Sequence, residues 1–408
     1  MMKGRFLKIS SYYRGFLNYY YQLNPDISAK SYQEQFKHLM GQCFAWSDNY
    51  GILLAEKGLE TMEVVANAQH LQQAWSKEFG NQSTNLNDIL LEQIGRFKPE
   101  VIFFQDSVTY NGNFISQIKE RYPFIKLCIG NLCAPFSSMQ LESFQVFDFF
   151  IVCSPLFQKQ LKKYGIESYN IPHAFDGRIL NEIEKDNHYH HSSFAFMGSI
   201  FADEGFHSLR RELLENLIAS GINISFYGNL PDKSTIGLLK RQASYIAAKT
   251  LNSVGLRSLA EAYKPIRKGL VHQAMPNALK LSKQLYKIAQ PPVFGLNMFK
   301  VLSKADIGFN IHIDCAGDYA ANMRMFETAG VGTCLVTDWK KNLSDFYEDG
   351  VEAVSYKSKE ECIEKIKWLV DHPDECKEIA KKGQKRTLKE HNFESRVQLF
   401  YKALEERL

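Results

Sequence analysis

The run Asn322-Met323-Arg324-Met325-Phe326-Glu327 carries more potential chemistry than any other short stretch of the chain. Asn322 is a residue type that caps helix starts, and Met323, Phe326 and Ala329 recur at the spacing of one buried helix face. Arg324 and Glu327, three apart, then share the opposite face near the helix N-terminus. An arginine beside a positive helix end suits a pyrophosphate, and a carboxylate one turn deeper can accept both hydroxyls of a ribose. The same spacing also makes an ordinary ion pair on a solvated helix. Gly330-Val331-Gly332 follows this helix and precedes a strand, the reverse of a dinucleotide-binding loop, so it reads as a helix stop and tight turn. No P-loop, no serine-centred nucleophile elbow and no Asp-x-Asp occurs, so a metal-bridged diphosphate is not expected.

Such residues need strands to carry them. Short apolar runs alternate with helical patterns from end to end, which predicts α/β units and parallel sheets. In the first half strands are expected at 6–9, 62–65, 101–104, 126–129, 147–152 and 168–171, and in the second at 194–197, 224–227, 307–311, 333–336 and 353–356. A chain of 408 residues exceeds one ordinary core, so two domains are expected. The first would span 1–172 and the second 194–392, with a polar linker over 173–193 and a last helix, 393–408, crossing back to the first.

Open α/β sheets bind ligands outside the carboxyl ends of their strands. That rule selects Gly198-Ser199, Tyr227-Gly228-Asn229, His312 and the 322–327 segment in the second domain. In the first it selects Tyr12, Tyr13, Arg14 and Gly15, and then Gln105-Asp106. A general base for an acceptor hydroxyl would be Asp106, with His173 from the linker behind it. Asp106 also suits a cap for a helix starting near Asn111.

Eight scattered cysteines form no C-x-x-C pair and have no histidine at zinc spacing, so they read as reduced structural thiols. Histidines at 173, 188 and 190–191 lie in the linker without an acid or cysteine at ligand spacing, so no metal is expected there. No apolar stretch is long enough to span a bilayer, and the first ten residues lack a signal-like core, which reads as cytoplasmic. A net charge of +4 gives no argument for nucleic acid. The segment 232–290 is different: between Asp232 and Lys287 eleven Lys or Arg face two acids. It is expected to be a helical insertion with apolar and cationic faces, either packed on the second domain or resting on an anionic surface such as the inner membrane leaflet.

Residues 322–338, NMRMFETAGVGTCLVTD, and the tail from DGVEAVSYKSKEECIEKIKWLV onward resemble the C-terminal half of spore-maturation (CgeB-like) glycosyltransferases, relatives of the retaining group 1 family. Phe194–Leu217 and GLNMFKVLSKADIGFNIH resemble other parts of the same domain. The resemblance implies a GT-B fold, two Rossmann-like domains facing across a cleft, with a nucleotide diphosphate sugar as donor and no other cofactor. It implies that Glu327 binds ribose hydroxyls, that Asn322, Met323 and Arg324 hold the diphosphate, and that Gly198, Ser199, His207 and Arg210 form the phosphate-side loop and helix. The acceptor would be a glycan, a lipid-linked glycan or a protein. One position departs from the family: the second acid, expected eight residues before Glu327, is Tyr319, with Asp318 beside it. A nucleotide-sugar epimerase would keep the same fold with a different chemistry, and the departure at Tyr319 leaves open a non-catalytic assembly protein.

Overall fold

Strands covered on both faces must be apolar on both, and the buried runs of this chain take that form. A computed structural model describes residues 3–80, 82–136, 138–185, 190–200, 208–231, 234–271, 275–276, 281–312 and 317–408. The first sheet holds β1 (Arg5–Ser10), β2 (Glu60–Val65), β3 (Val101–Phe104), β4 (Leu127–Leu132), β5 (Phe149–Val152) and β6 (Ser168–Asn170). The second holds β7 (Ser192–Met197), β8 (Ser225–Tyr227), β9 (Ala289–Gln290), β10 (Ala305–Asn310), β11 (Cys334–Asp338) and β12 (Val354–Tyr356). Every pairing is parallel, in the orders β2-β1-β3-β4-β5-β6 and β12-β11-β10-β7-β8-β9. Each order reverses direction once, between β1 and β3 and between β7 and β10, and such switch points open a crevice beyond the strand ends.

Two expectations need correction. The basic insertion does not run to residue 290, because Ala289–Gln290 leaves it to pair with β8 as the edge strand. The linker is not merely solvated chain: Arg178–Lys185 is a helix whose Ile179 and Ile183 join an apolar cluster with Cys43, Phe175, Met298 and Phe299. Isoleucines four apart supply one buried stripe, which the surrounding polar residues conceal in a linear reading.

The first sheet hides an ion pair. Lys8 of β1 stands in register with Glu63 of β2, and their side chains meet at 2.8 Å, both buried. Glu63 also accepts the Gly51 N–H at 3.0 Å, and Lys8 donates to the Ser47 carbonyl, so the pair anchors the start of the helix Asn49–Glu56.

The chain crosses between the domains twice, at 172–175 and at 390–393, and the two crossings lie side by side. Phe175 N–H donates to the His391 carbonyl at 2.8 Å, within an isolated parallel bridge to Asn392. Buried Arg396 clamps both. Its Nε donates to the carbonyls of Pro172 and His173 at 3.1 and 3.2 Å, one terminal nitrogen to Glu390 O at 3.2 Å, and the other to His391 Nδ1 at 3.1 Å. The helix Phe393–Glu405 then packs Phe393, Val397 and Phe400 into the core of the first domain beside Phe6, Trp46, Tyr50 and Phe103.

His391 is held neutral by this arrangement. It accepts from Arg396 at Nδ1 and donates from Nε2 to Phe346 O at 2.8 Å. Burial, and then the Arg396 charge, bring its pKa down from 6.5 to about 4, against the raising effect of the Phe346 bond. The unfolded chain therefore takes up a proton between pH 6.5 and 4 that the native site refuses, so stability falls as pH drops through that window. At pH 5 the loss should be about 2 kcal/mol relative to pH 7. His391→Gln, which keeps one donor and one acceptor, should lack that share. Thermal unfolding at pH 7 and 5 checks this, and equal shifts for both proteins would contradict it.

Candidate active site

The carboxyl ends of the two sheets face each other across a cleft of about 1060 Å³. On the second-domain wall the loops after β7 and β8 are zipped together. Gly198 N–H donates to Tyr227 O at 3.0 Å, Ile200 N–H to Asn229 O at 2.9 Å, and Asn229 N–H reaches Ser199 Oγ at 3.4 Å. A β-carbon on Gly228 would stand 2.1 Å from the Gly198 carbonyl oxygen, so this approach requires glycine. Arg210, from the helix Ser208–Ala219, reaches the Ile311 carbonyl at 3.4 Å and lies 6.0 Å from the Phe196 ring centre. Gly198, Ser199, Arg210, Tyr227, Gly228 and Asn229 all line the cleft, whereas His207 falls outside the described residues.

The helix Met323–Gly330 brings its N-terminus to the same cleft, and Asn322, Met323, Arg324 and Glu327 line it. Asn322 occupies the cap position, but its side chain makes no cap bond. It donates instead to Asn310 Oδ1 at 2.7 Å, and Asn310 in turn donates to Thr337 Oγ1 at 2.9 Å, so a buried polar bridge ties the helix start to β10 and β11. Arg324 pairs with Glu327 at 3.0 Å, as i,i+3 neighbours can, and touches Met298 Sδ. Glu327 is only 9% exposed, so it sits deeper than a solvated helix face would place it.

His312 does not belong to this wall. It is buried against Asp338, with its backbone N–H and Nδ1 each 2.8 Å from Asp338 Oδ1, and it does not line the cleft. Burial works to raise the Asp338 pKa, but bonds and charge from His312, then Lys340, hold it down to about 2. The pair is a structural lock between the ends of β10 and β11. Asp318 is likewise no substitute for the missing acid: it is exposed, pairs with Lys341 at 2.6 Å and lies off the cleft. Tyr319 meets Lys159 of the first domain at 3.1 Å.

On the first-domain wall Tyr12 and Tyr13 line the cleft, but Arg14 and Gly15 do not, because the helix Arg14–Leu23 has already turned away. Gly15 faces Phe294 of the second domain instead. Tyr12 is buried among Phe16 and Phe44, while Tyr13 is exposed. Asp106 lines the cleft and does not cap the following helix, whose cap is Asn111. Its Oδ1 accepts from Val108 and Thr109 N–H at 3.2 and 2.9 Å, which fixes the turn after β3.

His173 lines the cleft beside Trp46, whose indole donates to Nδ1 at 3.3 Å. Of the linker histidines, His188 lies outside the described residues, and His191 pairs with Asp306. The neighbours of His173 are Cys133 and Cys153: two sulfurs and a ring nitrogen within 4.8 Å of one another. Burial alone would raise the Cys133 pKa, but hydrogen bonds from Cys153 and from His173 lower it overall.

Sequence reasoning missed Asn67, Asn131, Asn310 and Cys133, all of which line the cleft. Asn67 is bonded both ways to the Tyr12 backbone, at 2.9 and 2.7 Å, and so joins the loops after β1 and β2. Each lies in or within two residues of the last residues of an apolar strand, a signal the strand-end rule could have read.

Residues 278–402 match the family described as glycosyl transferase-like. No curated protein matches the sequence significantly. Among solved structures, a glycosyltransferase from Rickettsia africae superposes with a TM-score of 0.52 at 9% identity, covering 100% of this chain and 99% of that one. Sucrose-phosphate synthase from Thermosynechococcus elongatus gives 0.50 at 10% identity, covering 99% and 98%. Anabaena HepE in complex with UDP and glucose gives 0.50 at 11% identity, covering 99% and 100%. With its two facing parallel sheets, the chain has the GT-B fold. The glycosyl transferase-like match falls within its second half and the closing helix.

The packed loops give a test. Gly228→Ala should destabilise the protein by about 1–3 kcal/mol, because backbone must move to admit the methyl. Gly177→Ala, where a β-carbon meets nothing within 4 Å, should be near neutral. Chemical denaturation of the two variants makes the comparison, and equal midpoints would contradict it.

Proposed function

We propose that the protein is a glycosyltransferase that moves a sugar from a nucleotide diphosphate donor, held by the second domain, to a hydroxyl held by the first. The observation that supports this best is the Arg324–Glu327 pair on the first turns of a helix opening into the cleft. It lies inside the stretch that matches the glycosyl transferase-like family. Glu327 takes the ribose hydroxyls, while Arg324 and the helix amides take the charge of the departing diphosphate, so no metal is required. The close loops at Gly198 and Gly228 let backbone approach the phosphates. If a base removes the acceptor proton, Asp106 supplies it through Oδ2, since Oδ1 holds its turn. The complex of HepE with UDP and glucose favours a nucleotide sugar as the ligand class. The CgeB-like affiliation rests on the 322–338 motif. A glycan, lipid-linked glycan or protein is the acceptor class.

Glu327→Ala should weaken nucleotide-sugar binding by about 2–4 kcal/mol, through two lost charge-assisted hydrogen bonds. Titration calorimetry across a panel that includes UDP-glucose measures it, and unchanged affinity for the preferred nucleotide would overturn the assignment. Donor hydrolysis or transfer should persist in EDTA; loss restored by manganese would overturn the metal-free part.

The insertion gives the proposal a location. No helix among the described residues is long and apolar enough to cross a membrane. The helices Thr235–Ser253, Arg257–Ala262 and Lys264–Arg267 pack mainly on one another, and Gly269 closes against the backbone of Ser244. Ile236, Leu239, Ile246, Leu259 and Tyr263 are more than half exposed among Lys240, Lys249, Lys264, Arg267 and Lys268. Of the charges read from sequence, Asp232, Lys233 and Lys280 lie outside the described residues. Apolar side chains set among cations suit an anionic leaflet, where each Lys or Arg adds about 1 kcal/mol. Sedimentation with phosphatidylserine vesicles should show salt-sensitive binding, weakened when Lys264, Arg267 and Lys268 become Gln. Absence of binding would leave the protein without a membrane role.

A further inference from the structure

The Cys133–Cys153–His173 group is not used by the glycosyl transfer proposed above, and its geometry decides between two chemistries. Cys133 and Cys153 follow β4 and β5 directly, and the Leu132–Val152 register makes them cross-strand neighbours. Neighbouring strands lie about 4.8 Å apart, with in-register side chains on one face, which is within the reach of a disulfide. His173, after β6, completes the group from the next strand. A histidine that binds a metal normally gives its second N–H to an acceptor. Here the second nitrogen, Nδ1, faces a donor, the Trp46 indole. With Nδ1 taken up by the indole N–H, the ring lacks the outer acceptor that would orient it as a metal ligand.

We propose that Cys133 is a nucleophilic cysteine that hydroperoxides oxidise, and that Cys153 is its resolving partner. The Cys153 sulfur and a ring nitrogen of His173 lie within 4.8 Å of the Cys133 sulfur, and these polar neighbours lower its pKa against the effect of burial. Asn131 Oδ1, 3.5 Å from Sγ, serves the neutral thiol when the proton returns. Cys133 is half-buried and lines the cleft, so a small oxidant reaches it, whereas Cys153 is buried behind it. In the first step the Cys133 sulfur attacks the outer oxygen of the hydroperoxide. The O–O bond breaks, the leaving oxygen takes a proton from solvent as an alcohol or water, and Cys133 becomes a sulfenic acid. In the second, Cys153 attacks that sulfur, its proton leaves with the hydroxyl as water, and the S–S bond forms. The two sulfurs together lose two electrons and the peroxide gains two.

The test uses the full chain carrying Cys315→Ser, since Cys315 lies outside the described residues. Limiting N-ethylmaleimide, followed by peptide mass mapping, should place the label on Cys133 about tenfold faster than on any other cysteine, and His173→Gln should slow it by a similar factor. Hydrogen peroxide should then cross-link Cys133 to Cys153 with loss of two hydrogens in mass, and Cys153→Ser should stop at a sulfenic acid trapped by dimedone. Label spread evenly over the cysteines would overturn the proposal without touching the glycosyltransferase reading, which nucleotide binding tests separately. A wild-type chain that stops at the sulfenic acid would remove the resolving role of Cys153. Stoichiometric zinc in the purified protein, protecting Cys133 until chelated, would replace the thiolate by a metal site. The labelling of the protein with native Cys133, Cys153 and His173 decides the first point even if a variant fails to fold.

Discussion

Arg396 is the interaction on which the arrangement of the two domains depends. A guanidinium out of water is costly unless it is hydrogen-bonded, and here each of its three nitrogens donates, to three backbone carbonyls and a histidine nitrogen in all. Those acceptors belong to the two places where the chain passes between domains. Binding both crossings through one side chain makes them a single hinge rather than two loose tethers. Phe326 adds its ring face 5.9 Å from the guanidinium carbon, which links the hinge to the same helix that carries Arg324 and Glu327.

From that hinge the rest of the geometry follows. The helix Phe393–Glu405 returns to the first domain and fills the face of its sheet that Trp46, Tyr50 and Phe103 would otherwise leave uncovered. A second contact forms where Phe294 packs among Phe16, Tyr19 and Phe44, and Asn297 bonds Tyr19 at 2.8 Å. The sheets are thereby held with their carboxyl ends toward one another. The two switch points face the cleft between them, Ser11 and Asp106 on one side and Gly198 and Asn310 on the other.

The cleft also separates labour between its walls. The second-domain wall is made of close backbone, an asparagine bridge and an arginine–carboxylate pair. The first-domain wall offers tyrosines, asparagines, one turn-bound aspartate and a sulfur–imidazole group.

The sequence by itself determined the strands other than the edge strand Ala289–Gln290, the two-domain plan and the helix that carries Arg324 and Glu327. These are local or nearly local: apolar runs of strand length, proline and glycine breaks, and an i,i+3 pair are all written within a few residues. Strand-end logic likewise found most of the residues that line the second-domain side of the cleft, because a residue after a buried strand has few other places to be. It misplaced His312, Arg14 and Gly15, since the rule says where a loop begins but not which way its side chains turn. The tertiary structure alone decided that Asn322 bonds Asn310 rather than its own helix, and that Arg396 joins residues 172, 173, 390 and 391. It alone brought Cys133, Cys153 and His173 together. The reason is physical: parallel strands adjacent in the sheet are separated along the chain by whole helices, so residues that touch at their ends carry no shared spacing for a linear reading to detect.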